Sequence, residues 1–343
     1  MKKLEEIFNK PITETLYHYT DGSAFLGIVK NNEMWASHIR FMNDTKEGLL
    51  ALDRFEEVVN DNKNLVKGHN IDSLIKSVKK AFAKETASLG IFIISFCEVK
   101  DDLNLWRGYA NKTLPYCIGF NTKEFLKVEE IKNYISEVQD FLINSWDPKE
   151  TKKKVFLLPC IYDYAEQVGL IKEILSDSVE RIRVLEPTSE AELGEEIAKR
   201  LVCYAPLIKH EVFKDEKEWR AIILYEKSFA PNFTKQDIED ALEEAKDSGE
   251  KERLEYLEES FEDNEVSLRD DREFLNYRMG RSYIIPFFRY KINKKVFKEI
   301  IIGTCPDKDS VYESTVYFLS KNGFTYEESK SLTEYTKIPY RNW

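Results

Sequence analysis

Apolar residues along this chain follow two patterns. Short runs rich in β-branched and aromatic residues predict strands, and longer stretches with apolar positions three and four apart predict helices. The runs at 13–20, 34–37, 89–97, 115–120, 154–164, 219–225, 282–290 and 297–302 read as strands. The run LGIFIISFC at 89–97 has no polar face and belongs at the centre of a sheet. Pro159 sends 154–164 to an edge or marks a bulge, because proline cannot donate to a strand ladder.

Helical spacing follows Asp21 and Ser23, two capping residues, with Ala24, Phe25, Ile28 and Val29 on one face and Asn31-Asn32 as the stop. Residues 38–48 read as a loop running into a helix through Phe55 and Val59. Residues 71–87 continue helical on Leu74, Ile75, Val78, Ala81 and Phe82. Further helices are predicted over 2–9, 124–146, 166–184, 190–207 and 312–322. There is no internal repeat and no Gly/Ser linker. The expectation is one α+β domain over 1–343, with helical insertions about 46–87, 122–147 and 165–210 and an acidic helical excursion over 234–265.

Composition changes this picture little: 42% hydrophobic and 13% aromatic residues fit a folded core. The net charge of −11 is a local matter. Residues 234–265 hold 14 Asp/Glu against 4 Lys/Arg, and the remaining 48 acids and 47 bases nearly cancel. Acidity therefore does not exclude a nucleic-acid partner for the rest of the surface. Five scattered cysteines without CxxC spacing read as free thiols. With no apolar leader and no run long enough to span a bilayer, the expected location is cytoplasmic, without membrane contact. His38, His69 and His210 lack ligand spacing, so no metal is expected. Walker, GxGxxG and GxSxG motifs are absent.

Three strings carry candidate chemistry: Leu16-Tyr17-His18-Tyr19-Thr20, Leu105-Trp106-Arg107-Gly108-Tyr109-Ala110, and Glu216-Lys217-Glu218-Trp219-Arg220. They supply an imidazole, a flat ring and a carboxylate. Trp106 and Tyr109 lie one helical turn apart and form an apolar stripe, so core packing and ligand stacking both suit them. In a strand, Glu216 and Glu218 would share a face at the start of the WRAIILY run; a loop of solvated charge is the plain alternative, favoured for Glu216. Arg40 with Asn43-Asp44 reads first as a turn that caps the next helix.

These strings, the Ile-Ser-Phe strand before LWxxYA, Phe213 to Arg220 and the Ile-Pro-Tyr-Arg end at 338–341 resemble an uncharacterised bacterial family over nearly the full length. Their order is similar to the ADP-ribosyltransferase superfamily, in the branch containing diphtheria toxin and the poly(ADP-ribose) polymerases. That resemblance implies a split β-sheet core with peripheral helices, and NAD as a substrate. It implies that His18, with Tyr19 and Thr20 beside it, holds the adenosine-side ribose, and that Arg40 meets the pyrophosphate. Ser95 would bond a ribose, and Trp106 or Tyr109, with Tyr109 preferred, would stack on nicotinamide. Glu218 would accept from the ribose 2′-hydroxyl and stabilise the oxocarbenium as nicotinamide leaves, with Glu216 engaging the acceptor.

The function so implied is NAD-dependent mono-ADP-ribosyl transfer to a protein or nucleic acid, in a toxin-like or anti-phage effector that an antitoxin or regulatory protein would restrain. A non-catalytic binding module on the same scaffold and an NAD glycohydrolase are the alternatives.

Overall fold

A computed structural model describes residues 12–42, 48–88, 90–109, 114–125, 153–183, 189–225, 275–280 and 284–339. The molecule is α+β. Its strands are β1 (Thr15–Asp21), β2 (Glu33–His38), β3 (Gly90–Cys97), β4 (Pro115–Asn121), β5 (Lys153–Pro159), β6 (Glu218–Tyr225), β7 (Leu275–Met279), β8 (Ile284–Lys291), β9 (Phe297–Ile302) and β10 (Thr333–Tyr335). The described α-helices are α1 (Gly22–Asn31), α2 (Leu50–Asp61), α3 (Ile71–Ser88), α4 (Leu103–Tyr109), α5 (Thr122–Phe125), α6 (Tyr164–Arg183), α7 (Glu190–Tyr204), α8 (Lys308–Lys321) and α9 (Tyr326–Leu332).

The strands form one sheet in the order β10-β9-β4-β1-β3-β2-β8-β7, with β6 and then β5 added on the other edge of β3. The apolar β3 is its hub. One edge pairs with β6 over its full length, from Gly90↔Tyr225 to Cys97↔Glu218. The opposite edge is shared: β1 touches it only at Tyr17↔Cys97, and β2 only at Ser37↔Ile93 and His38↔Phe92. β1 and β2 therefore part along β3, leaving a fork. β5 pairs with β6 alone among the described strands, as Pro159 requires of it.

Both faces of β3 are covered, which is why its sequence never alternates. Ile91 and Ile93 pack with Phe156, Leu158, Ile222 and Leu224 under the layer of α2, α3, α6 and α7. Phe92, Ile94 and Phe96 face the second core, with Phe25, Ile118, Phe120, Trp219 and Phe288. Each such side chain contributes about 1.5–3 kcal/mol on burial. A third cluster, Tyr17, Tyr19, Cys97, Leu105, Trp106, Cys117 and Ile301, lies between β1, β4, β9 and α4.

Local signals set the helix ends. The Asp21 carboxylate caps α1 by accepting from Ala24 N–H, and Asn32 ends that helix in the left-handed region at φ 49°. Ser189 with Glu192, and Thr325 with Glu328, form capping boxes at α7 and α9. All five cysteines are buried, and none is in a disulfide. The predicted helix at 2–9 and the acidic segment 234–265 lie outside the described residues, as does nearly all of the helix predicted at 124–146.

Candidate functional site

The Cys97 end of β3 is where the three strings converge. Cys97 pairs with Tyr17 on one side and Glu218 on the other, two strand spacings or roughly 10 Å across. The loop after Cys97 leads directly into α4 and Tyr109.

The chain reaches β6 through a 3₁₀ turn, Glu211–Glu216, and Lys217 then takes the left-handed conformation at φ 44°. Glu216 is therefore not part of the strand, and the expected shared strand face is not what joins the two glutamates. Lys209 joins them: its ammonium donates to Glu216 Oε2 at 2.5 Å and to Glu218 Oε2 at 2.6 Å. Arg220, fully buried, adds Nε to Glu218 Oε1 at 3.0 Å and Nη2 to Oε2 at 3.1 Å, and gives Nη1 to the Pro206 carbonyl at 2.8 Å. The Cys160 thiol also points at Glu218 Oε2, and Glu218 N–H donates to the Tyr162 hydroxyl at 2.8 Å.

Burial would raise the Glu218 pKa, but the adjacent Arg220 and Lys209 charges outweigh it and hold the carboxyl at about 2. Burial likewise opposes the Lys209 charge, and Glu218 then Glu216 more than restore it, so its pKa is raised. The cluster joins two carboxyl groups, an ammonium and a guanidinium, whose formal charges cancel.

Glu216 is the outward member of this cluster. It accepts the Tyr109 hydroxyl at 2.7 Å, a contact between groups 107 positions apart in sequence. Tyr109 is 46% exposed, whereas Trp106 is 5% exposed and belongs to the third core cluster. Of the two aromatic candidates, Tyr109 is the exposed one. Trp106 is anchored: its indole N–H donates to Asp101 Oδ1 at 2.8 Å, and its ring meets Tyr19 edge-on with centroids 4.9 Å apart.

On β1, the register places Tyr17 on the same sheet face as Cys97 and Glu218, and His18 on the face of Phe96 and Trp219. His18 thus projects away from Glu218 and sits in the fork, where its Nδ1 meets the Ser95 carbonyl at 2.9 Å. A carbonyl can only accept, so Nδ1 carries the proton and Nε2 is left as an acceptor. Among the described residues Nε2 has no protein partner. Burial lowers the His18 pKa, against the pull of the Ser95 carbonyl, which keeps the ring neutral at pH 7.

Thr20 follows on the His18 face and is buried. Tyr19 points the other way; its hydroxyl donates to Val99 O at 3.1 Å and accepts Asp102 N–H at 2.8 Å, pinning the loop before α4. Ser95 bonds His18 through its backbone, and its side chain lies opposite Arg220. Arg40 is not brought to this end. It is exposed on the turn after β2, whose last residue pairs with Phe92, about 17 Å along β3 from Cys97.

Lys209 and Arg220 are the site residues that sequence reasoning missed. Arg220 carried a signal, since an arginine inside an apolar strand needs a buried acid. Lys209 carried none, because its partners are fixed by the parallel bridge Ile161↔Ile208. Among the described residues no helix is long and apolar enough to cross a membrane, and no group of His, Cys, Asp and Glu could hold a metal ion.

No curated protein and no solved structure matches the chain. Residues 105–221, which run from α4 to β6 and include Tyr109, Lys209, Glu216, Glu218 and Arg220, match the model of a family described as a protein of unknown function (DUF2971).

Proposed function

We propose that the chain uses NAD to ADP-ribosylate a macromolecule, with the donor held at the Cys97 end of β3. One observation carries the reading: Tyr109 of the second string bonds Glu216 of the third, and the backbones of β1 and β6 both pair with Cys97 there, with His18 reaching the same end of β3 from the other face of the sheet. The residues suit the donor in type. A neutral imidazole with an open acceptor nitrogen can take a ribose hydroxyl. An exposed phenol ring can stack on nicotinamide for about 0.5–1.5 kcal/mol beyond burial. A carboxylate that stays ionised can stabilise positive charge as the glycosidic bond breaks.

A second reading is favoured by the bonding of Glu218. Both of its oxygens are already engaged by Lys209 and Arg220, and His18 lies on the opposite face. Those facts suit a module that binds a ribose-containing ligand without cleaving it.

Incubation with NAD and a cell lysate, followed by chromatography for nicotinamide and mass spectrometry for added ADP-ribose, separates the two. Transfer predicts both products, and their reduction in Glu216→Gln and Tyr109→Phe. Calorimetric NAD binding without nicotinamide, weakened about tenfold in His18→Ala as one hydrogen bond is lost, selects the binding module. Absence of binding and of release sinks both.

A further inference from the structure

The proposed chemistry leaves unexplained how an outward glutamate is held against a tyrosine on another element. A surface carboxylate bonded to one phenol would ordinarily sample several rotamers. Here the second oxygen of Glu216 is held by Lys209, whose ammonium also holds the buried Glu218.

Lys209 is itself held on several sides. It is buried, its backbone N–H donates to the Ile161 carbonyl at 3.1 Å, and its carbonyl accepts the buried Gln167 amide at 2.8 Å. Its ammonium also lies 5.0 Å from the Phe213 ring centroid, within cation–π range. Order therefore runs from the core through Gln167 and Lys209 to Glu216, and from Glu216 to Tyr109.

We propose that Lys209 is the positioning residue of this site: one ammonium shared between a buried and an outward glutamate fixes Glu216 in the orientation that receives the Tyr109 hydroxyl. Desolvation makes this coupling strong, because each bond to an ionised group is short and counts for about twice a neutral one. Replacing the ammonium by an apolar group of similar length releases Glu216 and leaves Glu218 to Arg220 and the Cys160 thiol. The inference rests on the transferase reading only for its rate readout; the geometry is testable without any activity.

The experiment uses the full-length chain with nitrogen-15 lysine and carbon-13 glutamate, in wild type, Lys209→Met and Lys209→Arg. In wild type the Lys209 ammonium protons should exchange slowly and show hydrogen-bond couplings to the carboxyls of both Glu216 and Glu218. In Lys209→Met the carbon-13 signal of the Glu216 carboxyl should shift as its partner is lost, and the Tyr109 ring signals should move toward free-tyrosine positions. Lys209→Arg should restore much of both.

If transfer is observed, Lys209→Met should lower turnover at least tenfold, with partial rescue by arginine. A wild-type ammonium that exchanges like a surface lysine overturns the proposal, even if Lys209→Met fails to fold. A folded Lys209→Met with unaltered Glu216 and Tyr109 signals also overturns it. Absence of transfer in every variant, with the spectroscopic couplings intact, refutes the transferase reading and leaves the positioning role standing.

Discussion

Replacing Glu218 by glutamine is expected to weaken the fold as well as any chemistry at this site. The side chain is 5% exposed and accepts from Lys209 and from two nitrogens of Arg220, which is itself fully buried. Glutamine keeps the shape but turns one acceptor into a donor that faces cations, and it removes the charge that offsets them. A carboxyl held at about 2 rather than 4.5 is stabilised by about 3 kcal/mol at neutral pH, since each tenfold change in acidity is about 1.4 kcal/mol. The usual loss on breaking one partner of a buried pair, about 3–5 kcal/mol, is of the same size.

Urea unfolding of wild type and Glu218→Gln, followed by tryptophan fluorescence and circular dichroism, reads this difference. The pH dependence has a definite sign. Because the folded carboxyl is the more acidic, the unfolded chain takes up the proton first as pH falls. The Glu218 contribution is therefore complete above about pH 5 and is lost progressively between 4.5 and 2. The wild-type advantage should be full at pH 7 and should narrow as pH drops below 4.5. A difference under about 1 kcal/mol at pH 7 would refute the ion-cluster account, since exposed pairs already reach that value. So would an advantage that grows in acid.

Other parts of the site support should respond in their own ways. A Cβ on Gly303 would lie 2.5 Å from Pro115 Cγ and 3.0 Å from Trp106 Cζ3, so Gly303→Ala should destabilise by about 1–3 kcal/mol and shift Trp106 fluorescence; wild-type values for both would contradict the packing. Asp101 accepts from the Trp106 indole and from Thr336 Oγ1 and Lys337 N–H, tying the segment after β10 to the start of α4. Asp101→Ala should leave the sheet intact but speed proteolytic cleavage around 333–339 several-fold in a timed digest; unchanged cleavage would show that the tie is dispensable.

Much of the architecture was legible along the chain. The unbroken apolar run at 89–97 announced a strand covered on both faces, and Gly90–Cys97 is that strand. Asp21 and Asn32 bracketed the helix after β1 by capping chemistry, and of the two readings Pro159 left open, edge strand or bulge, the edge is found, with the strand ending at Pro159. What escaped were short elements with too few residues to show a period. β7, β10 and α9 are five, three and seven residues long, and they hold their shape through neighbours rather than through propensity.

The candidate site divides along the same line. Sequence alone determined that a histidine, an aromatic pair and a glutamate pair each stand beside an apolar run, because that is a matter of local spacing. Tertiary structure decided which of them meet. Strand register sends His18 and Glu218 to opposite faces, since successive side chains in a strand alternate and one position reverses the outcome. Burial assigned Trp106 to the core and Tyr109 to the surface, although both lie on one helix. Strand alternation already puts Arg220 on the Glu218 face, but only packing brought Lys209 to it, because a charge taken out of water must find its counter-charge from whatever element the fold places beside it.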